Sequence, residues 1–267
     1  MAYEHLEVRH EGGVDWVTMN RPERLNALNP ALVRDLNVYF GGLNVRSPAR
    51  VVVLQGAGRA FCAGLDLKEA QARRAAGEPT VTDNLETQHA IRDIMLKMRR
   101  CPQPIISIVQ GSAAGGGFAL ALASDIRLAT PDARMNAAFI RIGLSACDVG
   151  VSYFLPRMVG ASVAAEYMLT GRFIDAQRAA QLGLVSRVAP LPELEVEARA
   201  FAADMLNATP LGLRLTKEAL GHAIDSGSME AVIAMEDRNQ ILCTRGEDFR
   251  EGITAFLEKR APRYGSR

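Results

Sequence analysis

The chain has 267 residues, 48% of them hydrophobic, with 31 basic against 30 acidic side chains and a formal net charge of +1. A chain this long and apolar buries a large core and fills one big domain or two small ones, and interspersed charges of both signs leave no nucleic-acid footprint. Four scattered cysteines, Cys62, Cys101, Cys147 and Cys243, show no CxxC spacing and read as reduced thiols of a cytoplasmic protein, not as a metal site or a disulfide framework.

In chain order, Met1 to Glu11 is polar and mixed in charge, unlike a signal peptide. Val14 to Met19 alternates as a strand does. Asn29-Pro30 supplies an N-cap and a first-turn proline, and Leu32, Val33, Leu36, Phe40 and Leu43 mark one face of the helix that follows. Val51 to Gly56 is a β-branched apolar run that ends in a glycine-bearing turn, Phe61-Cys62-Ala63-Gly64-Leu65-Asp66. Residues 69 to 82 carry Arg73, Arg74, Gly77 and Pro79 and read as a polar, mobile connection. A helix is expected from Asp83 to Arg99, on which His89 is a surface or core residue and not a catalytic base.

Ile105 to Gln110 is a second buried strand, followed by Gly115-Gly116-Gly117 and an Ala/Leu-rich helix from Phe118 to Ser124. Cys101 to Ser124 carries no charge and is long enough to cross a bilayer. Its two prolines and its glycines fit a buried strand and turn better, so no membrane span is expected. With Ile126 to Ala129 the strand, helix, strand rhythm recurs, which is α/β. After about residue 190 strands give way to four helices, begun by Pro192, capped by Thr209 and Ser228, and closed by Glu247 to Arg260. Such a run suggests a second packing layer or an assembly region.

The two glycine turns are the raw material of an oxyanion hole. Each can expose backbone N–H groups, and the second opens a helix, whose first N–H groups lack partners and whose dipole is positive. The alternative is that the glycines only let backbone pack on backbone. A dinucleotide-binding module has less support, because Gly111 to Gly117 does not spell GxGxxG.

Asn20-Arg21-Pro22-Glu23-Arg24-Leu25-Asn26-Ala27-Leu28, Ala60 to Leu67, Gly111 to Gly117 and Ser124-Asp125-Ile126 together resemble the crotonase, or enoyl-CoA hydratase/isomerase, family in order and spacing, from about residue 5 to the carboxyl end. The resemblance implies a spiral of ββα turns over residues 1–195 and a helical C-terminal trimerisation region over 196–267, assembling as a homotrimer or a dimer of trimers. It implies an acyl-CoA site that stabilises thioester enolates, with no cofactor beyond the coenzyme A of the substrate and no metal. By position the hole donors are the N–H groups of Leu65 and Gly116. Ala63, Asp66 and Lys68 would border the CoA nucleotide, with Arg24 and Ala27 on its other side. Phe256 and Lys259 would reach the CoA of a neighbouring subunit, unless the last helix is simply amphipathic with a solvated basic end.

The pattern departs where hydratases of the family keep two glutamates, since these positions hold Ala119 and Phe139. A positioned acid or base is worth roughly 10² to 10⁴ in rate, so an intact hole without them makes a poor ordinary hydratase unless another group moves the proton. In Ser145-Ala146-Cys147-Asp148-Val149-Gly150 the aspartate resembles an acid of dienoyl-CoA isomerases and naphthoyl-CoA synthases, and shielding by Phe139 would suit proton shuttling. Asp148 could equally cap a helix starting near Gly150. Asp125 matches an aspartate present whatever the reaction and is read as structural. Cys147 has no histidine near it in sequence and is not read as a nucleophile. The expectation is an isomerase or atypical hydratase; the competing reading is a non-catalytic acyl-CoA binding protein.

Overall fold

A computed structural model of the chain describes residues 3–265. An antiparallel hairpin, β1 (Leu6–Glu11) and β2 (Val14–Met19), turns at Gly12-Gly13, both at positive φ, as tight hairpin turns require. The helix expected next is α1 (Pro30–Gly42), where the Asn29 side chain accepts the Leu32 N–H at 2.9 Å. Then come β3 (Val51–Gly56), α2 (Leu67–Ala76), α3 (Val81–Arg100), β4 (Ile105–Val109), β5 (Ser112–Ala114) and α4 (Gly116–Ala123). β6 (Ile126–Ala129), β7 (Arg134–Asn136), α5 (Val151–Val159), α6 (Ala161–Thr170), β8 (Ile174–Asp175), α7 (Ala176–Gln181) and β9 (Arg187–Val188) complete the alternating part. The remainder is helical: α8 (Leu191–Leu206), α9 (Pro210–Ala223), α10 (Met229–Thr244) and α11 (Glu247–Leu257).

The strands form a six-stranded sheet, in the order β1-β2-β3-β4-β6-β9, and a three-stranded one, β5-β7-β8. From β2 onward the large sheet is parallel, so both of its faces need cover. Val52, Leu54 and Ile105 face a core shared with Leu32, Leu36 and Met98 of α1 and α3. Val51, Val53, Ile106 and Ile108 face the other way, onto Leu194 and Ala198 of α8. That is why the strand segments read as unbroken apolar runs. No helix among the described residues is long and apolar enough to cross a membrane, and Cys101 to Ser124 divides into β4, β5 and α4.

One expectation is corrected. Residues 69 to 82 are not a single polar connection, because α2 occupies 67–76, with the Asp66 side chain accepting the Glu69 N–H at 3.1 Å. Gly77 ends it, and a capping box between Thr80 and Asp83 starts α3. The segment 67–76 is rich in Ala, Lys, Arg, Gln and Glu, strong helix formers that its polarity obscured.

Asp125, read as structural, is a buttress for three elements. Its Oδ2 accepts the Ile105 N–H of β4 at 2.8 Å and sits 3.0 Å from Lys217 Nζ of α9, while Oδ1 lies 3.3 Å from Arg99 of α3. The buried Lys217 ammonium also donates to the Met98 and Gln103 carbonyls, at 3.1 and 2.7 Å. Replacing Asp125 with alanine leaves that ammonium without its counter-charge and is expected to destabilise the fold by about 3 kcal/mol, read as a lowered urea midpoint by circular dichroism.

Candidate functional site

The two glycine turns, about fifty residues apart in sequence, are zipped together by main-chain hydrogen bonds. Phe61 N–H donates to Gln110 C=O at 2.7 Å, Cys62 N–H to Ser112 C=O at 3.0 Å, and Ala114 N–H returns to Cys62 C=O at 3.0 Å. The first turn is also braced from behind: Ala63 N–H donates to Leu25 C=O, Leu28 N–H to Gly64 C=O and Asp66 N–H to Leu28 C=O, at 2.7 to 3.0 Å. Leu65 N–H is skipped by this pattern. Gly115 N–H donates to Asn136 C=O at 3.0 Å, whereas the next N–H, that of Gly116 at the start of α4, is capped by no side chain. Among the described residues neither Leu65 N–H nor Gly116 N–H has a hydrogen-bond partner.

Glycine is required here for two reasons. Gly64 and Gly115 have φ of +89° and +52°, open to glycine and costly to others. A methyl on Gly117 would lie 2.0 Å from the Cys62 carbonyl oxygen, and one on Gly64 would lie 2.6 Å from Ala114 O and 3.6 Å from Gly116 N. The backbones of the two turns are thus in direct contact.

Sequence reading named Arg21 and Asn26 only as parts of a motif; the structure makes them the scaffold of the first turn. Asn26, at φ +54°, donates through Nδ2 to Ala57 and Ala60 C=O at 2.9 and 2.7 Å and accepts Arg21 N–H at 2.8 Å. Buried Arg21 donates to Ala27 C=O at 2.5 Å and lies 3.1 Å from Asp66 Oδ2. Burial alone would raise the Asp66 carboxyl, but the Glu69 N–H, Arg21 and Arg24 outweigh it and hold the group below its ordinary value. A depressed carboxyl contributes stability above its unfolded pKa of about 3.9 that is lost as pH falls below it. With both oxygens engaged inside the chain, Asp66 sets the turn, while Arg24 and Lys68 beside it are exposed and Ala27 is buried.

Phe139 closes another side, since a methyl on Gly115 would sit 3.4 Å from its ring. Ala119 is fully buried one turn into α4. Asp148 does not cap α5 with its side chain: Gly150, at φ +94°, precedes that helix, and only the Asp148 main-chain carbonyl accepts the Val151 N–H, at 2.9 Å. Its carboxylate is half-exposed and bound instead to Gln88 Nε2 of α3 and to Val149 N–H. Phe256, 83% exposed, and Lys259 lie at the end of α11, and no described contact joins them to either turn. His89 is exposed on α3.

Beside the turns a cleft of about 420 Å³ opens between α1 and α3, walled by Leu28, Val33, Leu65 and Ile91 together with the polar Arg34, Arg73 and Lys97. A larger cleft of about 900 Å³ lies between α3, α5 and α9 and has neither Leu65 nor Gly116 in its walls, whereas the smaller one has Leu65. No three His, Cys, Asp or Glu side chains among the described residues converge as metal ligands. All four cysteines are free, and burial pushes the Cys62 thiol up to about 12. What the arrangement can do chemically is receive negative charge on an oxygen placed between two unpaired N–H groups.

The family model for enoyl-CoA hydratase/isomerase matches residues 9–267. A protein of Mycobacterium bovis named a probable enoyl-CoA hydratase is 40% identical over 248 residues, 92% of this chain and 87% of its own length. A 1,2-epoxyphenylacetyl-CoA isomerase of Escherichia coli is 32% identical over 254 residues, 95% of each chain. Among solved structures, an enoyl-CoA hydratase from Bacillus anthracis superposes with a TM-score of 0.91 at 33% identity, covering 98% of this chain and 99% of that one.

Gly117→Ala is expected to lower stability by roughly 1–3 kcal/mol or more, because the clash is with backbone, whereas Gly42→Ala, with open space around it, is neutral or slightly stabilising; paired denaturant melts test this. Iodoacetamide at pH 8 should label exposed Cys147 and spare Cys62 and Cys101 until the protein unfolds, since the thiolate is the reactive form, as peptide mapping would reveal.

Proposed function

The chain belongs to the enoyl-CoA hydratase/isomerase, or crotonase, family, and on that premise we propose that it binds an acyl-CoA with the thioester oxygen between Leu65 N–H and Gly116 N–H. The observation that carries this reading is the pair of unpartnered N–H groups on abutting turns. When an α-proton leaves, the electron pair moves onto the thioester oxygen, and each donor aimed at it is worth about 3 to 4 kcal/mol. The cleft beside Leu65 takes the acyl chain, and exposed Arg24 and Lys68, with Ala63 and Ala27, border the CoA nucleotide.

Asp148 is the proton carrier in this proposal. In isomerisation its carboxylate takes the α-proton and returns it to a more distant carbon of the acyl chain; in hydration it takes a proton from the water whose oxygen adds at the β-carbon and delivers a proton to the α-carbon. With Ala119 and Phe139 in place of two glutamates, isomerisation or an atypical hydration suits the site better than ordinary hydration. No resident cofactor is invoked. Residues 196–267 form the trimerisation region of the proposed assembly, a role supported by exposed Met229, Ile241, Phe256 and Leu257 on α10 and α11. Phe256 and Lys259 there meet a neighbouring subunit's CoA, and the protein works in the cytoplasm.

The test is incubation in heavy water with saturated, 2-enoyl, 3-enoyl and dienoyl CoA thioesters of short, medium and long chain, followed by mass spectrometry. Protein-dependent label is expected, its position distinguishing isomerisation from hydration, and Asp148→Asn should slow it roughly 10² to 10⁴-fold while thioester affinity is kept. Binding without label on any thioester would leave an acyl-CoA binding protein instead.

A further inference from the structure

Asp148 is held by a residue that the sequence did not single out. Gln88 lies 60 positions earlier, on a helix whose residues Val81 to His89 are all exposed, so its place is not explained by packing. Its side-chain amide donates to Asp148 Oδ1, and Val149 N–H donates to the same oxygen at 2.8 Å. Among the described residues nothing donates to Oδ2 of Asp148. The carboxylate therefore has one oxygen saturated with donors and one with none.

The backbone beside it is strained in a way that fixes this arrangement. Val149 is β-branched, buried and at φ +38°, a region such residues avoid. Its conformation is held from both sides, by its own N–H on Asp148 Oδ1 and by Val151 N–H on the Asp148 carbonyl at 2.9 Å. At its other side Gln88 belongs to α3, which Asn37 of α1 grips two residues later through the Ala90 carbonyl at 2.7 Å and which packs against α4, the helix begun by Gly116. The amide thus ties the aspartate to the helix lying against the one that opens at the proposed hole.

We infer that Gln88 is a positioning residue that saturates Asp148 Oδ1 and leaves Oδ2 as the oxygen that exchanges the substrate proton. The inference rests on Asp148 as the proton carrier. A hydrogen bond to a charged group is worth enough to matter, and here it restricts rotation of a half-exposed side chain that otherwise samples several orientations. Gln88 touches no substrate in this arrangement and acts through Asp148 alone.

The experiment measures deuterium-exchange kcat and KM on whichever thioester of the same panel the unaltered protein labels fastest, for Gln88→Ala, Gln88→Glu, Asp148→Asn and the Gln88→Ala/Asp148→Asn double variant. Both Gln88 variants should lower kcat roughly tenfold with KM within twofold, thermal melts unchanged, and the double variant no slower than Asp148→Asn. Full kcat in the Gln88 variants, while Asp148→Asn is slow, overturns the inference and leaves Asp148 standing. A Gln88 loss that multiplies with that of Asp148→Asn, or one expressed in KM or melting, also overturns it, as a structural role would produce. If Asp148→Asn exchanges at the full rate, or no thioester is labelled, the reading of Asp148 fails first and the inference falls with it.

Discussion

Everything at the site depends on the main-chain hydrogen bonds between Phe61-Cys62 and Gln110 to Ala114. They join the loop after β3 to the start of β5, and their register leaves the N–H groups of Leu65 and Gly116 unused while those of Ala63, Asp66 and Gly115 are paired. The first N–H groups of a helix have no partner within it, and at Gly116 this opening of α4 abuts the turn that carries Leu65. The bonds can form only because the Gly117 backbone lies against Cys62, at a distance that admits no side chain.

Around that contact the chain has spent buried polar groups where apolar ones would pack more simply. Asn26 bridges the loop it belongs to and the one before the first turn, and Arg21 neutralises Asp66 out of water. Buried pairs of this kind gain little net stability, because desolvation offsets attraction. What they contribute here is a fixed path for residues 21–28 and 60–66. Asp125 and Lys217 do the same farther away, fastening α9 to the start of β4 and the end of α3.

Where the resemblance leads one to expect two glutamates there are a buried alanine on α4 and a phenylalanine ring against Gly115. Neither alters the contact between the turns. The two turns meet through backbone, whereas Ala119 and Phe139 differ from the expected glutamates only in side chain, so the substitutions can leave the turns as they are. Asp148 stands on a separate segment, fixed by its own neighbour and by α3.

Local chemistry in the sequence determined four strands of the large sheet, β2, β3, β4 and β6, most of the helices and their caps. Asn29, Thr209 and Ser228 each accept the N–H expected of an N-cap, and apolar runs sized for a sheet covered on both faces are the strands of that sheet. The glycine turns were legible too, since few residues other than glycine suit them. A helix over 67–76 was obscured because its polarity resembles that of a loop, and its Asp66 cap also serves Arg21. Which N–H groups stay unpaired, which carboxylate oxygen is free, and that Gln88 meets Asp148 depended on contacts between segments far apart in the chain. Such contacts are set by sheet order and register, and no local pattern of residue types encodes them, so only the tertiary structure decided them.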